Sequence, residues 1–436
     1  MVRFLVPYPT INSHRLEFIV RKNTTILSCL ALSSLLSVGL APSATADVNQ
    51  PQSSVHMQVN GTLNPQGDEY RPFYYDVPSL SDKNPGTLIR SEHVNNPQNP
   101  LGLKDNGPYK ATRILYVSKN RTGKLIPVSG IVIESKEPWK GNGKRPLIAF
   151  APGTQGVADK CAPSRQLADG IGDYEQVFFE PLLKKGYAVV ITDYEGLGTP
   201  GMHTYMDRVS QGHAVLDSVR AARQLVGWDL SVDNPLGIDG YSQGGGASAS
   251  AVEQADEYAP ELKFKVAAIG AAPADLTLLP PTLDGTLYFL FEAFAFMGIS
   301  HSYGIDFTAD LNKEGKDVML RAANACTQDL IPFIGKKLEK LTIDGTTVQQ
   351  FINKEPYKSM LSDQHIGYRA PSMPVTLTHS KGDDVIPFHV GEKLAKEWSA
   401  SGGNITFVPH TSGAHAFGSI THARIAVQQF EKVFGH

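Results

Sequence analysis

Pro235-Leu236-Gly237-Ile238-Asp239-Gly240-Tyr241-Ser242-Gln243-Gly244-Gly245-Gly246 is a short apolar run that ends in a serine set among glycines. Gly240, Ser242 and Gly244 form a G-x-S-x-G pattern. The chemistry behind the pattern is a tight strand-to-helix turn that pushes a serine hydroxyl out of a sheet on a strained backbone. Glycines two residues to either side remove Cβ atoms that would collide where strand and helix cross. A glycine-rich chain produces the pattern by chance, so a plain turn is the alternative reading. The context favours the nucleophile: a buried-type strand leads in, and the small-residue stretch ASASAVEQADEYA (247–259) leads out as a helix.

Similar apolar runs recur on both sides, each followed by a glycine-rich or polar loop. They are PLIAF (146–150), YAVVITD (187–193), VAAIGA (266–271), PVTLTHS (374–380) and ITFVPH (405–410). Runs this short and unbroken suit strands buried on both faces. Helical stretches such as HAVLDSVRAARQLVGW (213–228) lie between them. Upstream, ATRILYVS (111–118) and VSGIVIES (128–135) predict an antiparallel pair, with Gly123 and Pro127 in the connection. The alternation predicts an α/β fold, a mostly parallel sheet flanked by helices. It stops between about 275 and 370. There TLYFLFEAFAFMGIS (286–300) and GKDVMLRAANACTQDLI (315–331) read as helices. Residues 275–370 are therefore expected to be a helical cap inserted into a core made of 69–274 and 371–436.

A serine hydroxyl needs a base, and the base needs an orienting acid. When the serine sits on such a turn, acid and histidine follow it in that order. Asp383 and Asp384 lie just past PVTLTHS, and His415 lies just past ITFVP. Asp383 directly follows the loop glycine and is the expected orienter, with Asp384 as a loop-bracing or solvated carboxylate. His410 is the rival base, but it ends its strand too early. The oxyanion of an acyl-transfer intermediate needs backbone donors. The amide of Gln243 is one candidate; Thr154 or Gln155, in the loop after PLIAF, supplies the other. The aromatic run holding Phe289, Phe291, Phe294 and Phe296 reads either as a buried cap helix or as the lining of an acyl pocket.

Composition bounds the rest. Hydrophobic residues make up 41% and charged residues 19%, which fits a globular protein with a sizeable core. The formal net charge is −3 with no long basic run, so nucleic acid is not an expected partner. Arg3, Arg15, Arg21 and Lys22 precede the apolar run ILSCLALSSLLSVGLA (26–41) and the small-x-small site Ala44-Thr45-Ala46. These predict a signal peptide, residues 1–46, cleaved after Ala46, hence a secreted protein, extracellular or periplasmic. The segment carries four bases and one acid, so cleavage takes the charge from −3 to −6. A membrane anchor, or a lipoprotein through Cys29, is the weaker reading. Residues 47–68 are polar and read as a flexible N-terminal arm. After cleavage Cys161 and Cys326 remain, an even pair bound for an oxidising compartment, which predicts one disulfide; two buried free thiols are the alternative. No zinc-type spacing or phosphate-binding loop is present, so neither metal nor cofactor is expected.

Several segments together resemble the secretory lipase family, which includes fungal lipase A-type enzymes and bacterial secreted triacylglycerol lipases. They are FYYDVPSLSDKNPGTLIRSEHV (73–94), DKCAPS (159–164), DYEGLGTPG (193–201) and GYSQGG (240–245). The resemblance implies an α/β-hydrolase fold with a helical cap between serine and acid, and a triad on Ser242, Asp383 and His415. It also implies that Cys161, in its Cys-Ala-Pro-Ser segment, is bridged. Ala151-Pro152-Gly153 departs from the His-Gly that related hydrolases often carry, which leaves the second oxyanion donor open. The expected function is hydrolysis of carboxylic esters, with triacylglycerols or other lipids as substrate, at a lipid–water interface or in solution. Alternatives are an acyltransferase using the same triad, an esterase limited to short soluble esters, and a non-catalytic binding protein.

Overall fold

The computed structural model describes residues 71–435; the expected signal peptide and arm lie outside the described residues. Nine strands make one sheet: β1 (Leu88–His93), β2 (Tyr109–Lys119), β3 (Leu125–Ser135), β4 (Leu147–Ala151), β5 (Ala188–Glu195), β6 (Leu236–Tyr241), β7 (Phe264–Gly270), β8 (Val375–Ser380) and β9 (Ile405–His410). Their spatial order is β1-β2-β3-β5-β4-β6-β7-β8-β9. β2 and β3 are the expected antiparallel pair, with Tyr109 opposite Ser135 and Lys119 opposite Leu125. From β5 to β9 every neighbouring pair is parallel.

Every residue of β4, β6 and β8 is buried, the polar Asp239, Thr376, Thr378, His379 and Ser380 included. β9 departs from that expectation. It is the edge strand, with one neighbour, and its residues are half-buried or exposed. The flanking helices are α1 (Pro163–Asp169), α2 (Gln176–Lys184), α3 (Arg208–Ala222) and α4 (Gln243–Tyr258). Between β7 and β8 the regular elements are all helical and include α5 (Phe289–Ser302), α6 (Lys313–Ala322), α7 (Val348–Asn353) and α8 (Tyr357–Asp363). α9 (Phe388–Ala400) and α10 (His415–Phe434) follow β8 and β9. Among the described residues no helix is long and apolar enough to cross a membrane.

The helix expected over 315–331 is a correction: α6 stops at Ala322. The physical reason lies in the next turn. The Ala325 carbonyl accepts from the Val157 amide, and Cys326 forms a short bridge with Gly156. Cys326 is also joined to Cys161 by a disulfide spanning 165 residues. Backbone committed to those partners cannot continue the helical ladder. The helical segment is thereby tied to the loop that follows β4.

Candidate active site

The loops that carry the expected site residues all leave the carboxyl ends of parallel strands, where open α/β sheets place their ligands. Ser242 follows β6 and precedes α4, with φ +62° and ψ −122°. A non-glycine residue in that region is strained and persists only where its surroundings hold it. Here the Ser242 amide donates to the Gly270 carbonyl at 3.0 Å, and its carbonyl accepts from the Gly246 amide at 3.0 Å. A Cβ on Gly240 would overlap the Gly244 carbonyl oxygen, and one on Gly244 would overlap that of Ala151. Both flanking glycines are thus required by the close crossing of α4 over β4 and β6.

His415 opens α10. Its Nε2 lies 2.8 Å from the Ser242 hydroxyl, and its Nδ1 lies 2.8 Å from Asp383 Oδ2. The side chain of Asp383 is fully buried. Burial pushes its pKa up, but the His415 hydrogen bond and charge and the Ile386 amide outweigh this and hold it below the ordinary carboxylate range. Its other oxygen accepts from the Val385 and Ile386 amides at 3.0 and 2.8 Å. Asp384 braces the loop instead: Oδ1 accepts from the His415 amide at 2.9 Å, and Oδ2 accepts from the Tyr288 hydroxyl at 2.8 Å. The ring of His410 makes no hydrogen bond among the described residues.

These geometries separate the two aspartates. Asp383→Asn is expected to lower kcat/KM on the order of 10³–10⁴-fold, because an amide cannot stabilise the imidazolium and favours the wrong tautomer. Asp384→Asn keeps an acceptor for the His415 amide and should cost less than about tenfold. Steady-state kinetics of the two variants side by side decides; equal losses would contradict the assignment.

The loop after β4 is held from several sides. The Thr154 hydroxyl lies 2.7 Å from the Tyr205 hydroxyl, and the Thr154 carbonyl accepts from Tyr174 at 2.8 Å and from the Thr327 hydroxyl. The Gln155 carbonyl accepts from the Thr327 amide at 2.9 Å, while the Gln155 side chain turns to Asp173 and Gln166. Thr154 lines the cavity that contains Ser242; Gln155 does not. Gln243, first residue of α4, has an amide without an intrahelical acceptor, as helix geometry dictates. Its side chain meets His203, which burial pushes down to about 4 and which is therefore neutral.

Residues that sequence reasoning did not single out complete the frame. The Tyr241 hydroxyl donates to the His415 carbonyl at 2.7 Å, and its ring packs 4.9 Å from the imidazole. Both oxygens of Glu175 accept from the Gly153 amide, at 2.9 and 2.8 Å. Burial pushes Asp173 up to about 7, and burial with the nearby Asp173 charge pushes Glu175 well above the carboxylate range. In the unfolded chain both ionise near about 4. The stability they contribute is therefore full below that value and is lost as pH rises through their folded-state values. Glu175→Gln cannot ionise. Its Tm relative to the parent is expected to be higher at about pH 8 than at about pH 5; a pH-independent difference would show that Glu175 is not held protonated.

Beside Ser242 opens a narrow cavity of about 70 Å³. Phe291 and Phe296 line it, together with Leu276, Leu283, Ile299 and Met360. Phe289 and Phe294 do not. Both are fully buried in the core: Phe294 on the side of α5 away from the cavity, where it meets Tyr205 edge-on, and Phe289 at the start of the helix, on the same side as Phe296. Of the four phenylalanines, then, two face the cavity and two are core.

A serine on a strained strand-to-helix turn, within bonding reach of a histidine held by a buried aspartate, on a sheet of this order, defines an α/β hydrolase of the serine type. The secretory lipase model matches residues 165–435, and the chain belongs to the secretory lipase family. A "Probable inactive lipase" of Mycobacterium tuberculosis is 28% identical over 374 residues, covering 81% of this chain and 79% of that protein. A secreted triacylglycerol lipase of Malassezia furfur is 25% identical over 364 residues, covering 79% of this chain and 74% of the relative. The crystal structure of Candida antarctica lipase A in its closed state superposes with a TM-score of 0.73 at 23% identity, over 84% of this chain and 85% of that one.

Proposed function

We propose that this protein hydrolyses carboxylic esters of lipids, acylglycerols foremost, through a covalent acyl-enzyme. The observation that carries the reading is the unbroken hydrogen-bonded line from Ser242 through His415 to Asp383. The Ser242 hydroxyl attacks the ester carbonyl carbon while His415 Nε2 accepts its proton. The resulting oxyanion is met by the amides of Gln243 and Thr154. As the intermediate collapses, His415 returns the proton to the leaving alcohol oxygen, and the acyl group stays on Ser242. Water then enters, gives its proton to His415, and releases the acid; the proton passes back to Ser242. Asp383 keeps Nδ1 protonated and stabilises the imidazolium.

The helical segment between β7 and β8 serves as a cap, and α5 offers its Phe291 face to the acyl chain. Each methylene it buries contributes about 0.8 kcal/mol. The family and its secreted relatives support export; cleavage near Ala46 rests on the small-x-small site Ala44-Thr45-Ala46 alone.

One relative's description as inactive favours a second reading, a binding protein that retains the fold. The experiment is a rate series on esters of increasing chain length with the parent and Ile299→Trp. The account expects turnover by the parent that rises with chain length, and an indole in the cavity that shifts the optimum to shorter chains. No turnover on any ester, together with no reaction of Ser242 with a fluorophosphonate, favours the binding protein.

A further inference from the structure

The cavity beside Ser242 is apolar at most points of its wall, but α5 sets two polar groups in it. Glu292 and Ser300 both line the cavity. They are 3% and 1% exposed, and among the described residues neither the Glu292 carboxyl oxygens nor the Ser300 hydroxyl has a hydrogen-bond partner. Positions 292, 295, 296, 299 and 300 share one helical face. Eight residues of rise put the two groups about 12 Å apart along the axis. Buried polar groups are ordinarily paired, so two orphans on the one face that meets the cavity call for a partner from outside the chain. Burial, reinforced by the charge of Asp284, holds Glu292 well above the carboxylate range. A carboxyl in its protonated form can both donate and accept a hydrogen bond.

We propose that Glu292 and Ser300 are specificity-determining residues that hydrogen-bond an oxygen substituent, such as a hydroxyl, carried along the acyl chain of the substrate. A plain hydrocarbon chain covers both groups without pairing them. A hydroxylated chain of the same length pairs Glu292, alone or together with Ser300. A site built to bond a substrate hydroxyl discriminates strongly against the analogue that lacks it, because its own polar groups are left unsatisfied. The inference rests on reading this cavity as the acyl site. The competing occupant is an ordered water, which satisfies the same groups without selecting a substrate.

The test uses p-nitrophenyl dodecanoate and its monohydroxy isomers, with the hydroxyl stepped from mid-chain to the chain end. The parent enzyme is expected to favour at least one isomer over the plain ester by roughly tenfold in kcat/KM. Glu292→Leu should raise the rate on the plain ester and abolish the preference, and Glu292→Gln should keep most of it. A parent ratio near one at every position, or a preference that survives Glu292→Leu, overturns the proposal and leaves water as the partner. A second measurement needs no turnover: the thermal shift given to the Ser242→Ala protein by free hydroxydodecanoic acids against dodecanoic acid. A larger shift with a hydroxy acid, lost on adding Glu292→Leu, supports the proposal even if no ester is hydrolysed; equal shifts overturn it. Loss of all ester hydrolysis with the binding preference intact refutes the hydrolase reading alone.

Discussion

Ser242→Ala and His415→Ala are each expected to lower kcat/KM by roughly 10⁴-fold or more, and the double variant by little beyond either single one. The reason is geometric. In the proposed mechanism the 2.8 Å contact between His415 Nε2 and the Ser242 hydroxyl lets the two side chains act as one proton-transfer unit. Removing either member leaves only the oxyanion amides and substrate binding, so the losses do not add. The fold should survive both changes. Ser242 is held by backbone hydrogen bonds that alanine keeps, although alanine inherits the positive φ at that position. Circular dichroism and Tm close to the parent's would show that lost chemistry, not lost structure, accounts for the effect. Near-normal turnover by His415→Ala would refute the assignment of the base.

Cys161→Ser with Cys326→Ser is expected to destabilise the protein by about 2–5 kcal/mol, read as a fall in the denaturant midpoint. The bridge closes a loop of 165 residues, long enough for the unfolded-chain entropy model to put the effect at the upper end. A second consequence follows from where it sits. Cys326 is flanked by Ala325, bonded to the Val157 amide, and by Thr327, bonded to the Gln155 carbonyl and through its hydroxyl to the Thr154 carbonyl. Loosening that segment loosens the loop expected to supply an oxyanion donor. The bridge-free protein should therefore lose kcat more than KM, even at temperatures where it stays folded. An unchanged kcat would show that the loop is held by Tyr174, Tyr205 and Glu175 without help from the bridge.

Much of this arrangement is legible in the sequence because a few strong physical demands leave marks. β4, β6 and β8 have no solvent face, so their runs carry no Lys, Arg or Glu, and the loops after them hold Thr154, Ser242 and Asp383. Gly240 and Gly244 mark a crossing with no room for a side chain. β1 left no such mark: LIRSEH is half-buried at its first three residues and exposed at its last three. α5 is apolar on every side, so its pattern could not divide Phe291 and Phe296 from Phe289 and Phe294; only packing against Tyr205 and the core does that. The choice of Asp383 over Asp384 followed from its place after the loop glycine, but the bond of Asp384 to Tyr288 joins residues 96 apart in the chain. The link from Glu175 to Gly153 is likewise set by tertiary packing. Glu292 did carry a signal, as the one charged residue within FLFEAFAFMGIS.

The most direct test of the central claim is the intact mass of the enzyme, acid-quenched during turnover of a slowly hydrolysed ester, with the modified peptide sequenced. The account predicts a protein heavier by one acyl group in place of a hydrogen, with the label on Ser242 and absent from Ser242→Ala. An unmodified protein at full turnover, or an acyl group carried by any other residue, would contradict it.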